Sequence, residues 1–337
     1  MFSPSNIIVR SPNWIGDHVM ALPFYGQLRA SYPNARLTLL CTDNVAELSF
    51  SEIFDGQIIL PNSKRRTLPQ LSSFSKELKP KQFDLALSLP SSTSSALLLF
   101  LAGIPNRVGF SEHRSSLFLT LSRKWPGAEA RKHKSELYLE LLELLTSEKP
   151  GLTCERAASF PGKKENLIVV APGAANPLRV WPYFQELLEQ LRIMCPEFRV
   201  CVVGSESTES KWHAFLRRMD DGGIEDCIGK TTLTELISLC RRASLVIAND
   251  SGVSHLAARL ANASTLVLFG PGAPSYVKPF GQEVIVARLS TLACSPCEKS
   301  DCRAPYGYQR CLRDLSLEQV LSQVIEKLPR RTYNAAQ

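Results

Sequence analysis

Asn249, Asp250, Ser251, Gly252 and His255 sit together where an apolar run, Leu245–Ala248, gives way to a segment of small residues. Two chemistries fit that set. Asp250 or Ser251 can accept a backbone N–H and cap a helix starting near Gly252. The same N–H groups and the helix dipole can instead hold a phosphate. Gly252 then admits a bulky anion close to the backbone, and His255 offers a donor one turn on. Spacing alone leaves cap and anion site level.

Three more polar corners follow apolar runs. In Pro172-Gly-Ala-Ala-Asn-Pro-Leu-Arg-Val-Trp-Pro182, Arg179 can make a charge-assisted pair with a diphosphate, or stand solvated beside a packed Trp181. In Val203-Gly-Ser-Glu-Ser-Thr-Glu209, the carboxylates of Glu206 and Glu209 suit ribose hydroxyls or a capping box. In Ser11-Pro-Asn-Trp-Ile-Gly-Asp-His18, Asp17 can take a proton from a hydroxyl nucleophile, or simply cap a helix. The chain has no G-x-G-x-x-G fingerprint, Walker lysine loop, Ser-His-Asp order or His-x-x-x-His pair. The missing glycine fingerprint counts against a nicotinamide oxidoreductase.

Of the ten cysteines, six are scattered among apolar residues and read as buried thiols of a reducing compartment. The other four, Cys294, Cys297, Cys302 and Cys311, form a Cys-x2-Cys-x4-Cys-x8-Cys series. Four thiolates can ligate zinc, yet the spacing departs from the paired C-x2-C of a zinc ribbon, which favours thiols that only pack a loop.

The elements that must position these corners alternate in type. Continuous apolar runs at Ile7–Arg10, Leu37–Cys41, Gln57–Leu60 and Asp84–Leu89 form one series. Leu167–Ala171, Arg199–Val203, Leu245–Ala248, Thr265–Phe269 and Val284–Ala287 form a second. Such runs suit parallel strands covered on both faces. Amphipathic stretches, such as Ser135–Thr146 and Tyr183–Ile193, lie between them. The fold class expected is α/β, doubly wound, in two Rossmann-like domains over residues 1–155 and 165–337. Asn6-Ile-Ile-Val-Arg-Ser-Pro12 is echoed by Asn166-Leu-Ile-Val-Val-Ala-Pro172, and a turn-rich linker is expected over 150–164. In open α/β sheets ligands bind beyond the carboxyl ends of the strands, where every corner above falls.

With 337 residues and 44% apolar content, the chain can bury a sizeable core. Its net charge of +7 is spread out: 18 Lys+Arg against 14 Asp+Glu over residues 1–160, and 21 against 18 beyond. This favours an anionic substrate or anionic membrane surface. No aromatic-plus-basic motif points to nucleic acid. No apolar segment reaches the roughly 18 residues of a membrane span, and no signal peptide is read, so a cytoplasmic protein is expected.

Taken in order, the corners resemble those of the ADP-heptose:lipopolysaccharide heptosyltransferases (glycosyltransferase family 9), most closely the heptosyltransferase II type. Asn13-Trp-Ile-Gly-Asp17, Pro172-Gly-Ala with Arg179-x-Trp-Pro182, and Asn249-Asp-Ser-Gly-x-x-His-x-Ala-Ala258 with Phe269-Gly-Pro271 carry the likeness. Cys294–Arg313 resembles the type II tail. The resemblance implies a GT-B fold, two Rossmann-like domains facing a cleft, the first for the acceptor and the second for the ADP-sugar, with a C-terminal helix that crosses back. It implies an inverting transferase that needs no metal or other cofactor. Asp17 takes the position of the catalytic base, and Arg179 stands where the family usually has Lys on the diphosphate. Asp250, Ser251, Gly252 and His255 fall in the donor loop, Thr231, Thr232 and Leu233 against adenine, and Glu209, or less securely Glu206, on ribose. Arg65, Arg66, Arg107 and Arg114 are candidates for the acceptor. The partners implied are ADP-heptose and the inner-core glycolipid of lipopolysaccharide, with peripheral contact at the cytoplasmic face of the inner membrane and no nucleic acid. The rivals are a sugar-nucleotide epimerase or hydrolase of the same fold and a non-catalytic nucleotide-binding protein.

Overall fold

The computed structural model describes residues 3–61, 67–126, 132–146, 164–205, 209–219, 223–305 and 307–329. The chain divides into two compact units, Met1–Glu155 and Arg156–Gln337. Apart from Lys164, the expected linker lies outside the described residues.

The first unit holds β1 (Asn6–Arg10), β2 (Arg36–Thr42), β3 (Gly56–Leu60), β4 (Leu85–Ser88), β5 (Asn106–Ser111) and β6 (Leu121–Lys124). They form one sheet in the order β3-β2-β1-β4-β5-β6. Every pairing is parallel, with Ile8 of β1 opposite Thr38 on one side and Ala86 on the other. The chain winds outward from β1 to β3, then resumes on the far side of β1. That reversal opens the ends of β1 and β4. Ile8, Leu40 and Ala86 on one face pack with Leu71, Leu78, Leu98 and Leu99 from helices Leu68–Leu78 and Thr93–Leu101.

The second unit repeats the scheme. Its strands are β7 (Glu165–Ala171), β8 (Arg199–Val202), β9 (Ile224–Asp226), β10 (Ala243–Asn249), β11 (Thr265–Phe269) and β12 (Val284–Arg288). The order is β12-β11-β10-β7-β8-β9, again all parallel. Here the reversal falls between β7 and β10, so the loops after those strands are neighbours. Leu167, Ile168, Val169 and Val170 are all wholly buried, as a strand covered on both faces requires. The last described helix, Leu317–Lys327, sinks Val320 and Val324 into the core of the second unit that also holds Leu187 and Leu188.

All nine expected strands are present. Three more, β5, β6 and β9, carry too little apolar signal to be read. β5 includes Gly109, where a Cβ would stand 2.8 Å from the Ser88 carbonyl oxygen, so the glycine permits close strand approach. β6 is a largely exposed edge strand, and β9 is an edge strand of only three residues.

Candidate active site

The first unit presents Asp17 in the first turn of a short helix, Ile15–Met20, directly beyond β1. The corner is fixed from beneath. Arg10, fully buried at the end of β1, donates to the Leu40 carbonyl at 3.4 Å and to the Asn13 side chain. Trp14, at the N-cap, is 62% exposed, so the corner opens to solvent. Asp17 Oδ1 accepts from Lys134 Nζ at 2.8 Å, with 23% and 16% of the two side chains exposed. Oδ2 has no hydrogen bond among the described residues. Lys134 opens the helix Lys134–Thr146, and its neighbour Ser135 is buried and donates its hydroxyl to the Met20 carbonyl at 2.6 Å. That bond ties the lysine's helix to the aspartate's.

His18, next to Asp17, is a rival for proton transfer that the geometry rejects. It is fully buried, with Nδ1 3.0 Å from the Tyr25 hydroxyl and Nε2 3.0 Å from the Leu48 carbonyl. Burial pulls its pKa down to about 4, so the ring is neutral at pH 7.

In the second unit the loops after β7 and β10 are locked together. Asn249 is fully buried; its side-chain amide donates to the Pro172 carbonyl at 2.8 Å, and its oxygen accepts from the Trp181 N–H at 3.0 Å. Trp181 in turn donates its indole N–H to the Leu315 carbonyl at 2.9 Å. Arg179 closes a short turn, Pro177–Arg179, whose N-cap Asn176 accepts from the Leu178 N–H. Its guanidinium reaches Asp250 Oδ2 at 2.9 Å and Glu298 Oε2 at 3.5 Å. Asp250 is 2% exposed and orients the guanidinium, while the Arg179 side chain stays 28% exposed. Gly272 is needed here, because a Cβ would collide with the Asp250 carboxylate.

Ser251 does not cap the helix with its side chain. Ser251 takes the N-cap position of Gly252–His255 but makes no side-chain capping bond, and its hydroxyl is buried without a hydrogen-bond partner. Asp250 pairs with Arg179. His255 is buried, 3% exposed, in the helical stretch that continues through Leu256–Leu260. Thr231 and Leu233 flank Thr232, which caps Leu233–Arg242 in a box with Glu235: the Thr232 N–H donates to Glu235 Oε2 at 2.8 Å. Glu209 begins a helix, Glu209–Arg218, and Glu206 lies outside the described residues.

The acceptor candidates fare differently. Arg65 and Arg66 lie outside the described residues. Arg114 is exposed, beside the turn Ser115–Phe118. Arg107 is tied to its own surroundings. Its Nε donates to the Phe118 carbonyl at 2.7 Å, its Nη1 donates to the carbonyls of Ile104 and Pro105, and the guanidinium stacks over Phe100 at 5.4 Å. It braces a corner of the first unit.

Sequence reasoning missed Lys134 and Glu298. Lys134 is 117 positions from its partner and starts an ordinary amphipathic pattern. Glu298 sits among the four spaced cysteines, which line one cavity of about 370 Å³ together with Leu178, Pro271 and Gln309. Burial, and then electrostatic coupling to Cys297, Cys302 and Cys294, push the Cys311 thiol up to about 11.

The profile of glycosyltransferase family 9 (heptosyltransferase) matches residues 71–306. Lipopolysaccharide heptosyltransferase 2 of Escherichia coli K12 is 28% identical, over 94% of this chain and 97% of its own. Lipooligosaccharide heptosyltransferase 2 of Haemophilus influenzae is 26% identical, over 96% and 99%. The solved structure of E. coli ADP-heptose lipopolysaccharide heptosyltransferase II superposes with a TM-score of 0.73 at 25% identity, covering 96% of this chain and 98% of that one.

Proposed function

Because the chain belongs to glycosyltransferase family 9, the heptosyltransferases, we propose that it moves heptose from ADP-heptose to a hydroxyl of the lipopolysaccharide inner core with inversion at the anomeric carbon. One observation carries the reading: Arg179, 2.9 Å from Asp250, joins two of the family's loops at the carboxyl end of a parallel sheet.

In the reaction, Oδ2 of Asp17 takes the proton of the acceptor hydroxyl while Lys134 holds Oδ1. The oxygen attacks the anomeric carbon from the face opposite ADP, and the bond to the diphosphate oxygen breaks. The electron pair leaves with ADP. Arg179 and the backbone N–H groups of the 251–252 corner offset the charge that grows on the diphosphate. The 3.5 Å contact of Arg179 with Glu298 is the weaker of its two ion pairs and yields to phosphate. Arginine here supplies the fixed positive charge that a metal supplies elsewhere, so turnover proceeds without added magnesium or manganese. Backbone at Thr231–Leu233 meets the adenosine.

The glycolipid acceptor calls for a membrane surface. Among the described residues no helix is long and apolar enough to cross one. The first unit exposes Leu117 (74%) and Phe100 (47%), with Phe100 against Phe118 at 5.6 Å and Arg114 on the same turn. This apolar face with its cation suits peripheral contact with an anionic leaflet. Full-length protein should co-sediment with phosphatidylglycerol vesicles, and Leu117→Asp should release it; a parent protein that stays in the supernatant contradicts the contact.

The whole proposal is tested by mass spectrometry after incubation with a panel of nucleotide sugars and defined core acceptors. It predicts an acceptor gaining one heptose, from ADP-heptose alone. Donor consumption with no acceptor gain would favour an epimerase or hydrolase.

A further inference from the structure

Residues 289–309 run from β12 to the short helix Arg310–Arg313 with no strand or helix among those described. Long stretches of this kind inside a compact unit need something to hold them. An apolar core does not: of the described residues in this stretch, only Gln309 is buried. A few polar ties join it to the body. The N–H groups of Cys297 and Glu298 donate to the Pro271 carbonyl at 3.0 and 2.9 Å, and Gln309 donates to the carbonyls of Leu178 and Val180. The same stretch brings Cys294, Cys297 and Cys302 to the cavity that Cys311 also lines.

We propose that these four cysteines bind one thiophilic transition-metal ion as four thiolates, and that the ion is the staple of this loop. Small or coreless segments gain order from structural metal sites of this kind, and four sulfur ligands select zinc or iron. The spacing alone favoured a packing role; convergence on one cavity, in a segment without a core, reverses that preference. The four cysteines line the cavity, but no three of their sulfur atoms stand within 4.8 Å of one another, so binding one ion needs them to draw together. The three described ligand atoms that do stand so close belong to Cys201, Glu225 and Cys227. Those residues lie on or just after β8 and β9, which the parallel ladder already orders, and Glu225 is held 3.7 Å from Arg199.

The location gives the staple a purpose. Glu298 directly follows Cys297, and its carboxylate accepts from the Ala273 N–H at 2.5 Å and meets Arg179 at 3.5 Å. The ion is therefore a structural support beside the anion anchor and takes no part in the bond changes. Only this last point rests on the proposed function; the metal site stands or falls without it.

The test is metal analysis of the full-length protein purified without a metal-affinity step. The expected result is about one equivalent of zinc or iron per chain. Cys297→Ser should lose it, as should Cys302→Ser, whereas Cys201→Ala should retain it. Four thiols should become reactive to a thiol reagent only when the ion is displaced. Because a cysteine variant can misfold, the parent protein is also titrated with zinc after stripping, and tight uptake of about one ion is expected. No metal as purified together with no uptake overturns the proposal. So does an intact mass four hydrogens light, which marks two disulfides, or full metal content in a Cys297→Ser/Cys302→Ser double variant.

Discussion

An ion pair can hold a base in place or consume it, and the outcome depends on which oxygen it takes. Lys134 takes Oδ1 of Asp17 and is itself anchored by the buried Ser135 beside it. In the proposed reaction it is therefore a positioning residue, holding the carboxylate by Oδ1. Lys134→Met should lower kcat by roughly ten- to a hundredfold, the scale of a small misplacement of a reacting group. ADP affinity should be unchanged, and Lys134→Arg should restore part of the rate. An unaltered kcat in Lys134→Met would remove the lysine from the mechanism. Arg179 is a different case, because its partner Asp250 is almost wholly buried. Truncating one member of a buried pair costs roughly 3–5 kcal/mol through the charge left behind. Arg179→Ala thus tests stability and binding together, and Arg179→Lys, which keeps the charge, separates them.

Among the elements, the helix Ile15–Met20 depends on a neutral histidine. The pKa of His18 falls from 6.5 to about 4 on folding, so between those values the unfolded chain binds the extra proton. Stability present above pH 6.5 is lost as pH drops toward 4, on the order of 3 kcal/mol from this group. Urea unfolding of His18→Gln should show a flatter dependence over that window than the parent; identical slopes would contradict the assignment. The sequence announced most elements through apolar runs, because strands buried on both faces leave continuous hydrophobic stretches. It was silent on β5, which needs Gly109 for close packing, and on the short edge strands β6 and β9. The corners Asp17, Arg179 and Asp250 were readable because each follows such a run. Lys134 and Glu298 were not, since tertiary contact alone joins them to those corners.

At the scale of the whole molecule, the same construction occurs twice. Each unit is a six-stranded parallel sheet whose winding reverses beside its first strand. Each reversal leaves polar corners at strand ends, Asp17 after β1 in one unit and Arg179 with Asp250 after β7 and β10 in the other. The repeat was visible in the sequence as the echo between Asn6–Pro12 and Asn166–Pro172. The proposed function gives the two units separate parts, a base from the first and a diphosphate anchor from the second. That division of labour is the central claim, and one paired measurement tests it: ADP affinity by calorimetry and heptose transfer by product analysis, on Asp17→Asn and Arg179→Ala side by side. Asp17→Asn should bind ADP as the parent does while losing transfer by about a thousandfold, within the range for a general base; Arg179→Ala should lose ADP affinity. Substantial transfer by Asp17→Asn, or unchanged ADP affinity in a folded Arg179→Ala, would contradict it.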